Sequence, residues 1–303
     1  MSELRFDGRV AVITGAGRGL GRAYAHLLAS RGARVVVNDP GVSLRGEGDD
    51  TGLAEKVVRE IEAAGGDAVF NTHSVATREG GYAIVQQALD SYGRIDILIH
   101  NAGIVRRASL RDMTHEDFEG VLDVHLKGAF NVLRPAFPVM CDAGYGRIVL
   151  TGSLVGLYGN VGAANYAASK GGIHGLSCVA ALEGEQFNVK SNVILPAAVT
   201  RMSDGVDTSA FPTMPPEWVA PAVAWLAHEV CPMTGEMLIS AAGRVARAYV
   251  VETPGVYKQE WTIDDLAQQA DAIRKSDSPV EIHPVPRGFI DHLSYAFGMA
   301  KGK

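Results

Sequence analysis

Residues 9–21 read RVAVITGAGRGLG. A short β-branched run breaks into a glycine-spaced turn, and LGRAYAHLLASRG (20–32) then sets apolar residues at helical spacing. In such a strand–turn–helix unit, Gly15, Gly19 and Gly21 let the backbone turn sharply. With Arg18 and Leu20 between them, it can approach a pyrophosphate at the helix N-terminus. Asp39 follows at the end of the next strand, 20 residues after Gly19. A carboxylate there can accept hydrogen bonds from the ribose hydroxyls of an adenosine. Dinucleotide binding is the expectation, set against a purely structural turn.

The same two residues bear on which dinucleotide. Arg18 would attract a 2′-phosphate, whereas Asp39 would repel it at short range. Repulsion between close, partly buried charges outweighs attraction to a flexible, solvated arginine, so NAD is expected rather than NADP.

Outward from this unit the alternation continues. ARVVVND (33–39), DAVFNT (67–72), RIDILIHN (94–101), GRIVLTG (146–152) and NVILPA (192–197) read as strands separated by helical segments such as TGLAEKVVREIEAAGG (51–66). Near-continuous apolar strands between helices imply an α/β fold, a doubly wound parallel sheet with helices on both faces. Two stretches depart from the rhythm. PGVSLRGEGDD (40–50) is a long polar connection, and from about residue 240 the alternation stops. We therefore expect one domain over 1–240. A C-terminal extension over 241–303 would pack on that domain or on a neighbouring subunit, with a helix or two in 257–277 and extended chain in 278–288.

Composition excludes several classes. The 303 residues are 47% hydrophobic and 20% charged, as in a folded globular chain, and carry a net charge of −6. That balance gives no bulk basic character for nucleic acid. Cys141, Cys178 and Cys231 form no CxxC pair, which argues against a disulfide framework or a zinc site. No apolar run approaches the roughly 20 residues needed to cross a bilayer. The N-terminus lacks a signal-like stretch and the end, AKGK, lacks a peroxisomal address. The expected setting is cytoplasmic.

The chemistry converges from three places. HNAG (100–103) ends the fourth strand with small residues that admit a bound cofactor, and Ser153 ends the fifth at the carboxyl edge of the sheet. In NYAASKGGIHGL (165–176), Tyr166 and Lys170 share one helix face at i and i+4. Oxidation of a hydroxyl by hydride transfer needs a base for the departing proton, and a phenol of pKa about 10 is a poor one. A neighbouring ammonium, with the positive nicotinamide ring of NAD⁺, would favour phenolate and lower that pKa, while Ser153 would orient the substrate oxygen. The bland alternative is a tyrosine at a helix interface beside a solvated lysine.

With TGAGRGLG, Asp39, HNAG, Ser153 and YAASK in this order, and Ser153 13 residues before Tyr166, the chain resembles the short-chain dehydrogenase/reductase family over about 1–240. The resemblance implies a Rossmann-type domain with a Ser153–Tyr166–Lys170 apparatus, assembled as a homodimer or homotetramer. One position departs from the usual pattern. Where the family commonly carries an asparagine that holds a relay water, DVHLKGAF places His125, a candidate relay group that could titrate near neutral pH.

VVVNDPG, SVATREGG, VHLKGAF, YGNVGAANYAASK and PAAVTRM are further similar to the dehydrogenase unit of peroxisomal multifunctional enzymes type 2. That likeness implies NAD-dependent oxidation of a (3R)-hydroxyacyl-CoA, with a steroid-derived acyl group as one variant. It also implies that Ser74, Val75, Asn101, Ala102 and Gly103 line the cofactor, and that Ala198, Val199, Thr200 and Arg201 meet its nicotinamide half. Apart from the family, TRMSDGVDTSAFPTMPP (200–216) reads as a substrate loop. Its Met202, Phe211 and Met214, with Leu154, Val155, Leu157 and Tyr158, would wall an apolar pocket. Arg106, Arg107 and Arg111 are candidates for coenzyme A phosphates, against a reading as surface arginines. A dehydrogenase of free steroids or other lipophilic alcohols, and a catalytically silent NAD-binding sensor or scaffold, remain the alternatives.

Overall fold

The computed structural model describes residues 3–43, 45–48, 50, 52–201, 209 and 212–301. Met202 and Phe211 lie outside them. The elements in order are β1 (Val10–Thr14), α1 (Gly19–Ser30), β2 (Arg34–Asn38), α2 (Gly52–Ala63), β3 (Asp67–Asn71), α3 (Arg78–Tyr92) and β4 (Ile97–His100). Next come α4 (His115–Leu122), a π-helical turn (Asp123–Lys127), α5 (Gly128–Asp142), β5 (Gly146–Thr151), α6 (Val155–Tyr158), α7 (Ala164–Gly184) and β6 (Val189–Ala197). They are followed by α8 (Ala220–Ala227), β7 (Met237–Ala241) and β8 (Arg244–Ala248).

The sheet order is β3-β2-β1-β4-β5-β6-β7-β8, with β1 to β7 parallel. The reversal between β1 and β4 opens a crevice at the carboxyl edge, where open α/β sheets bind ligands. β1 is buried along its whole length, and its alternate residues serve opposite faces. Ala11 and Ile13 join Tyr24 and Leu28 of α1, Val57 and Ile61 of α2, and Val223 of α8 in one apolar cluster. Helices α3, α5 and α7 cover the other face, where Val12, Leu98, Ile148 and Leu150 are fully buried. Each such side chain contributes roughly 1.5–3 kcal/mol by leaving water, which holds the sheet rigid beneath the site.

The expected six strands are present, but the sheet runs past residue 240. β7 and β8 are joined by a two-residue turn at Ala242 (φ 48°) and Gly243 (φ 80°), both in the left-handed region. The chain divides into compact units Met1–Arg247 and Ala248–Lys303. The second holds an antiparallel pair, β9 (Val251–Glu252) with β10 (Val280–Glu281), and two helices, α9 (Ile263–Arg274) and α10 (Gly288–Ala300). Thr262 and Asp265 form a capping box that starts α9. Within 278–288, the extended stretch narrows to that two-residue strand.

Candidate functional site

A cleft of about 430 Å³ lies over the carboxyl ends of β1 and β4. Gly15, Arg18, Gly19, Leu20, Asp39, Ser74, Val75, Asn101, Ala102, Gly103, Thr200 and Arg201 line it. Gly15 is indispensable there: its φ is 64°, and a Cβ would sit 2.7 Å from the Ala102 Cα. Helix α1 starts without a side-chain cap, so its first N–H groups remain available to an anion. The Arg18 Nε is buried and unpartnered among the described residues. Asp39 accepts from Gly17 N–H at 2.9 Å and from Gly41 N–H at 2.8 Å, which fixes its carboxylate at the rim. Asn101 ties the two strands together, donating from Nδ2 to the carbonyls of Gly15 (3.0 Å) and Thr14 (3.3 Å). These features fit the pyrophosphate and adenosine ribose of a dinucleotide.

The residues after β6 divide. Thr200 and Arg201 reach the cleft, whereas Ala198 packs towards the core and Val199, 40% exposed, is held by its N–H on the Met214 carbonyl.

Ser153, Tyr166 and Lys170 meet beside this cleft. Lys170 is buried on α7 and donates from Nζ to the Thr151 carbonyl at 2.5 Å, with Nζ 5.5 Å from the centre of the Tyr166 ring. Ser153 accepts from Val155 N–H at 3.1 Å and hydrogen-bonds the Tyr166 phenol. Asn165 anchors the start of the helix: it donates to the carbonyls of Arg106 and Asp117, both at 2.9 Å, and accepts from Tyr166 N–H.

Burial dominates the electrostatics of the protein alone. Burial raises the Tyr166 pKa, and the Ser153 hydrogen bond and the Arg107 charge only partly oppose it. Burial also lowers the Lys170 pKa, to about 7. Desolvation outweighs that bond and that charge together, so the phenol stays neutral.

The expected titration of His125 is corrected. The residue sits in the π-helical turn, 1% exposed, and burial first, then the Lys170 charge, holds its pKa well below the ordinary 6.5. It is a neutral imidazole and no near-neutral titrant. Its Nε2 is 2.8 Å from the Ile104 carbonyl and 3.1 Å from the Ile104 N–H, its Nδ1 is buried without a partner among the described residues, and its ring meets Tyr166 edge-on.

The candidate substrate walls are less enclosed. Val155 is half-buried, Tyr158 on α6 is 79% exposed, and Met202 lies outside the described residues. Arg106 is committed to the protein through Asp117 and the carbonyls of Arg45 and Glu116, while Arg107 and Arg111 are exposed. The sequence missed Thr14 and His100, both fully buried behind the cleft. A histidine closing an otherwise apolar strand was the available signal.

The model of a family described as short chain dehydrogenase matches residues 9–209. The chain belongs to the short chain dehydrogenase family. Among the relatives of this dehydrogenase, peroxisomal multifunctional enzyme type 2 of Drosophila melanogaster is 46% identical over 254 residues, 84% of this chain but 42% of the relative. The solved full-length enzyme from that fly superposes with a TM-score of 0.81 at 36% identity, covering 98% of this chain and 50% of that one. A short chain dehydrogenase from Mycobacterium avium gives a TM-score of 0.79 at 39% identity, covering 92% of this chain and 98% of that one. The chain thus spans about half the length of the multifunctional enzyme, or less, and nearly all of the mycobacterial one. It is an oxidoreductase of this family, and among its described residues no helix is long and apolar enough to cross a membrane.

Proposed function

We propose that this dehydrogenase uses NAD to oxidise a secondary alcohol, a (3R)-hydroxyacyl-CoA, to the 3-ketoacyl-CoA. The observation that carries the reading is the convergence of Ser153, Tyr166 and Lys170 beside the glycine cleft. The similarity to the multifunctional enzyme supports the acyl-CoA substrate, and the carboxylate of Asp39 at the cleft rim supports NAD over NADP.

Bound in the cleft, the dinucleotide supplies the hydride acceptor. Tyr166 Oη takes the alcohol proton, Ser153 donates a hydrogen bond to the same oxygen, and Lys170 supports the tyrosine's charge and the adjoining ribose. Phenolate must be favoured by positive charge, and Lys170, Arg107 and an oxidised nicotinamide are its sources. His125 Nδ1, unpartnered among the described residues, is suited to bond a relay water. Apolar side chains exposed on α5 and α7, among them Phe130, Val179 and Leu182, support a homodimer or homotetramer. The free thiols of Cys141, Cys178 and Cys231 suit a reducing, cytoplasmic setting.

A panel of 3-hydroxyacyl-CoA esters of graded bulk, in both configurations, followed by NADH absorbance, tests the substrate. The (3R) esters should be turned over and the (3S) esters should not. Faster oxidation of a free hydroxysteroid than of every ester would replace the acyl-CoA reading.

A further inference from the structure

The proposed chemistry leaves the buried imidazole at the end of β4 unused. His100, the last residue of β4, is fully buried. Its Nε2 lies 3.1 Å from the backbone carbonyl oxygen of His125, and its Nδ1 lies 3.1 Å from Thr14 Oγ1.

The hydrogens of this chain can be assigned one by one. A carbonyl oxygen only accepts, so His100 Nε2 carries the hydrogen. Burial, and secondarily the Lys170 charge, lowers the His100 pKa to about 3, so the ring is neutral and its Nδ1 is an acceptor. The Thr14 hydroxyl therefore donates to Nδ1. Its oxygen in turn receives the N–H groups of Asn101 at 3.1 Å and Ala102 at 3.2 Å. An unbroken donor–acceptor series runs from the cleft-lining backbone, through Thr14 and His100, to the π-helical turn.

That turn carries the ring against Tyr166. π-Helical turns insert a residue into a helix, cost stability and concentrate at functional sites, so one persists where its surroundings hold it. From His125, one contact reaches Ile104 and another reaches the tyrosine ring, 5.2 Å away between centroids.

We infer that His100 is a positioning residue, whose Nε2–H bond to the His125 carbonyl fixes the π-helical turn so that the His125 ring supports Tyr166. This rests on Tyr166 being the acid/base of the proposed reaction. His100 itself touches neither substrate nor cofactor. It acts through a backbone carbonyl, and a donor at its Nε2 position is what the role requires.

Two measurements on the full chain test it. In the cofactor-free protein, nitrogen NMR of labelled histidine should show His100 as the Nε2–H tautomer with an exchange-protected proton. A predominant Nδ1–H tautomer would overturn the inference. For kinetics, His100→Gln and His100→Met have similar length and differ in the N–H donor. His100→Met should lower kcat at least about tenfold with the Kd for NAD within about twofold, and His100→Gln should recover kcat to within about threefold. Equal kcat in the two variants, whether wild-type or reduced, would overturn the donor role. If His100→Met does not fold, a large loss of kcat in a folded His100→Gln overturns it instead. Tyr166→Phe run alongside separates the failures. Retained turnover in Tyr166→Phe defeats the reading of the tyrosine, whereas an inactive Tyr166→Phe beside a wild-type His100→Met defeats this inference alone.

Discussion

The ring of His125 meets the ring of Tyr166 edge-on, with centroids 5.2 Å apart and planes at 83°. This contact sets a neutral imidazole of the π-helical turn against the phenol carried by α7. Gly103 makes room for it: a Cβ there would lie 2.4 Å from His125 Cε1. Backbone of the cleft, imidazole and phenol therefore form one packed stack.

Gly103→Ala should disturb that stack directly. Overpacking of a rigid interior costs about 1–3 kcal/mol, and the His125 imidazole is only 1% exposed. A lowered melting temperature together with reduced turnover is the expected outcome, measured by calorimetry and NADH absorbance. A variant with wild-type melting and rate would show that the stack is looser than its geometry implies.

Lys170 should leave a pH signature on stability. Its folded pKa is lowered from 10.5 to about 7 by burial. Between those values the unfolded chain binds the proton and the folded chain does not, so stability rises with pH across the window. Relative to Lys170→Met, the wild type should gain on the order of a few kcal/mol between about pH 7 and 10 in denaturant titrations. A difference that stays flat with pH would mean that the ammonium is solvated.

Asp39 should set the choice of dinucleotide. Asp39→Asn removes the charge while keeping the shape of a side chain bonded to Gly17 and Gly41. The ratio of kcat/KM for NAD over NADP should fall at least about tenfold, since the repulsion of a 2′-phosphate disappears. An unchanged ratio would remove Asp39 from that role.

Much of the fold and the cofactor cleft was legible because glycines and β-branched runs report backbone needs directly. Gly15 must adopt a positive φ whatever surrounds it, and β1 reads as a buried strand from composition alone. The spacing of Tyr166 and Lys170 likewise announced one helix face. Desolvation was not legible, because it depends on how completely α6 and α7 close over Lys170. Hence the raised Tyr166 pKa of the cofactor-free protein could not be read from spacing. The π-helical turn leaves no periodic mark, so neither the His125 environment nor the His100 bond could be seen from spacing. β8 was missed because Arg244 and Arg247 interrupt its apolar pattern at an edge of the sheet, where one side of a strand faces solvent.

Tyr166→Phe, measured for NAD binding by calorimetry and for turnover of a (3R)-hydroxyacyl-CoA by NADH absorbance, tests proton transfer through the phenol most directly. NAD affinity should hold within about twofold while kcat drops at least about 10²-fold, the usual contribution of a positioned acid/base group. Wild-type turnover in the phenylalanine variant would contradict it.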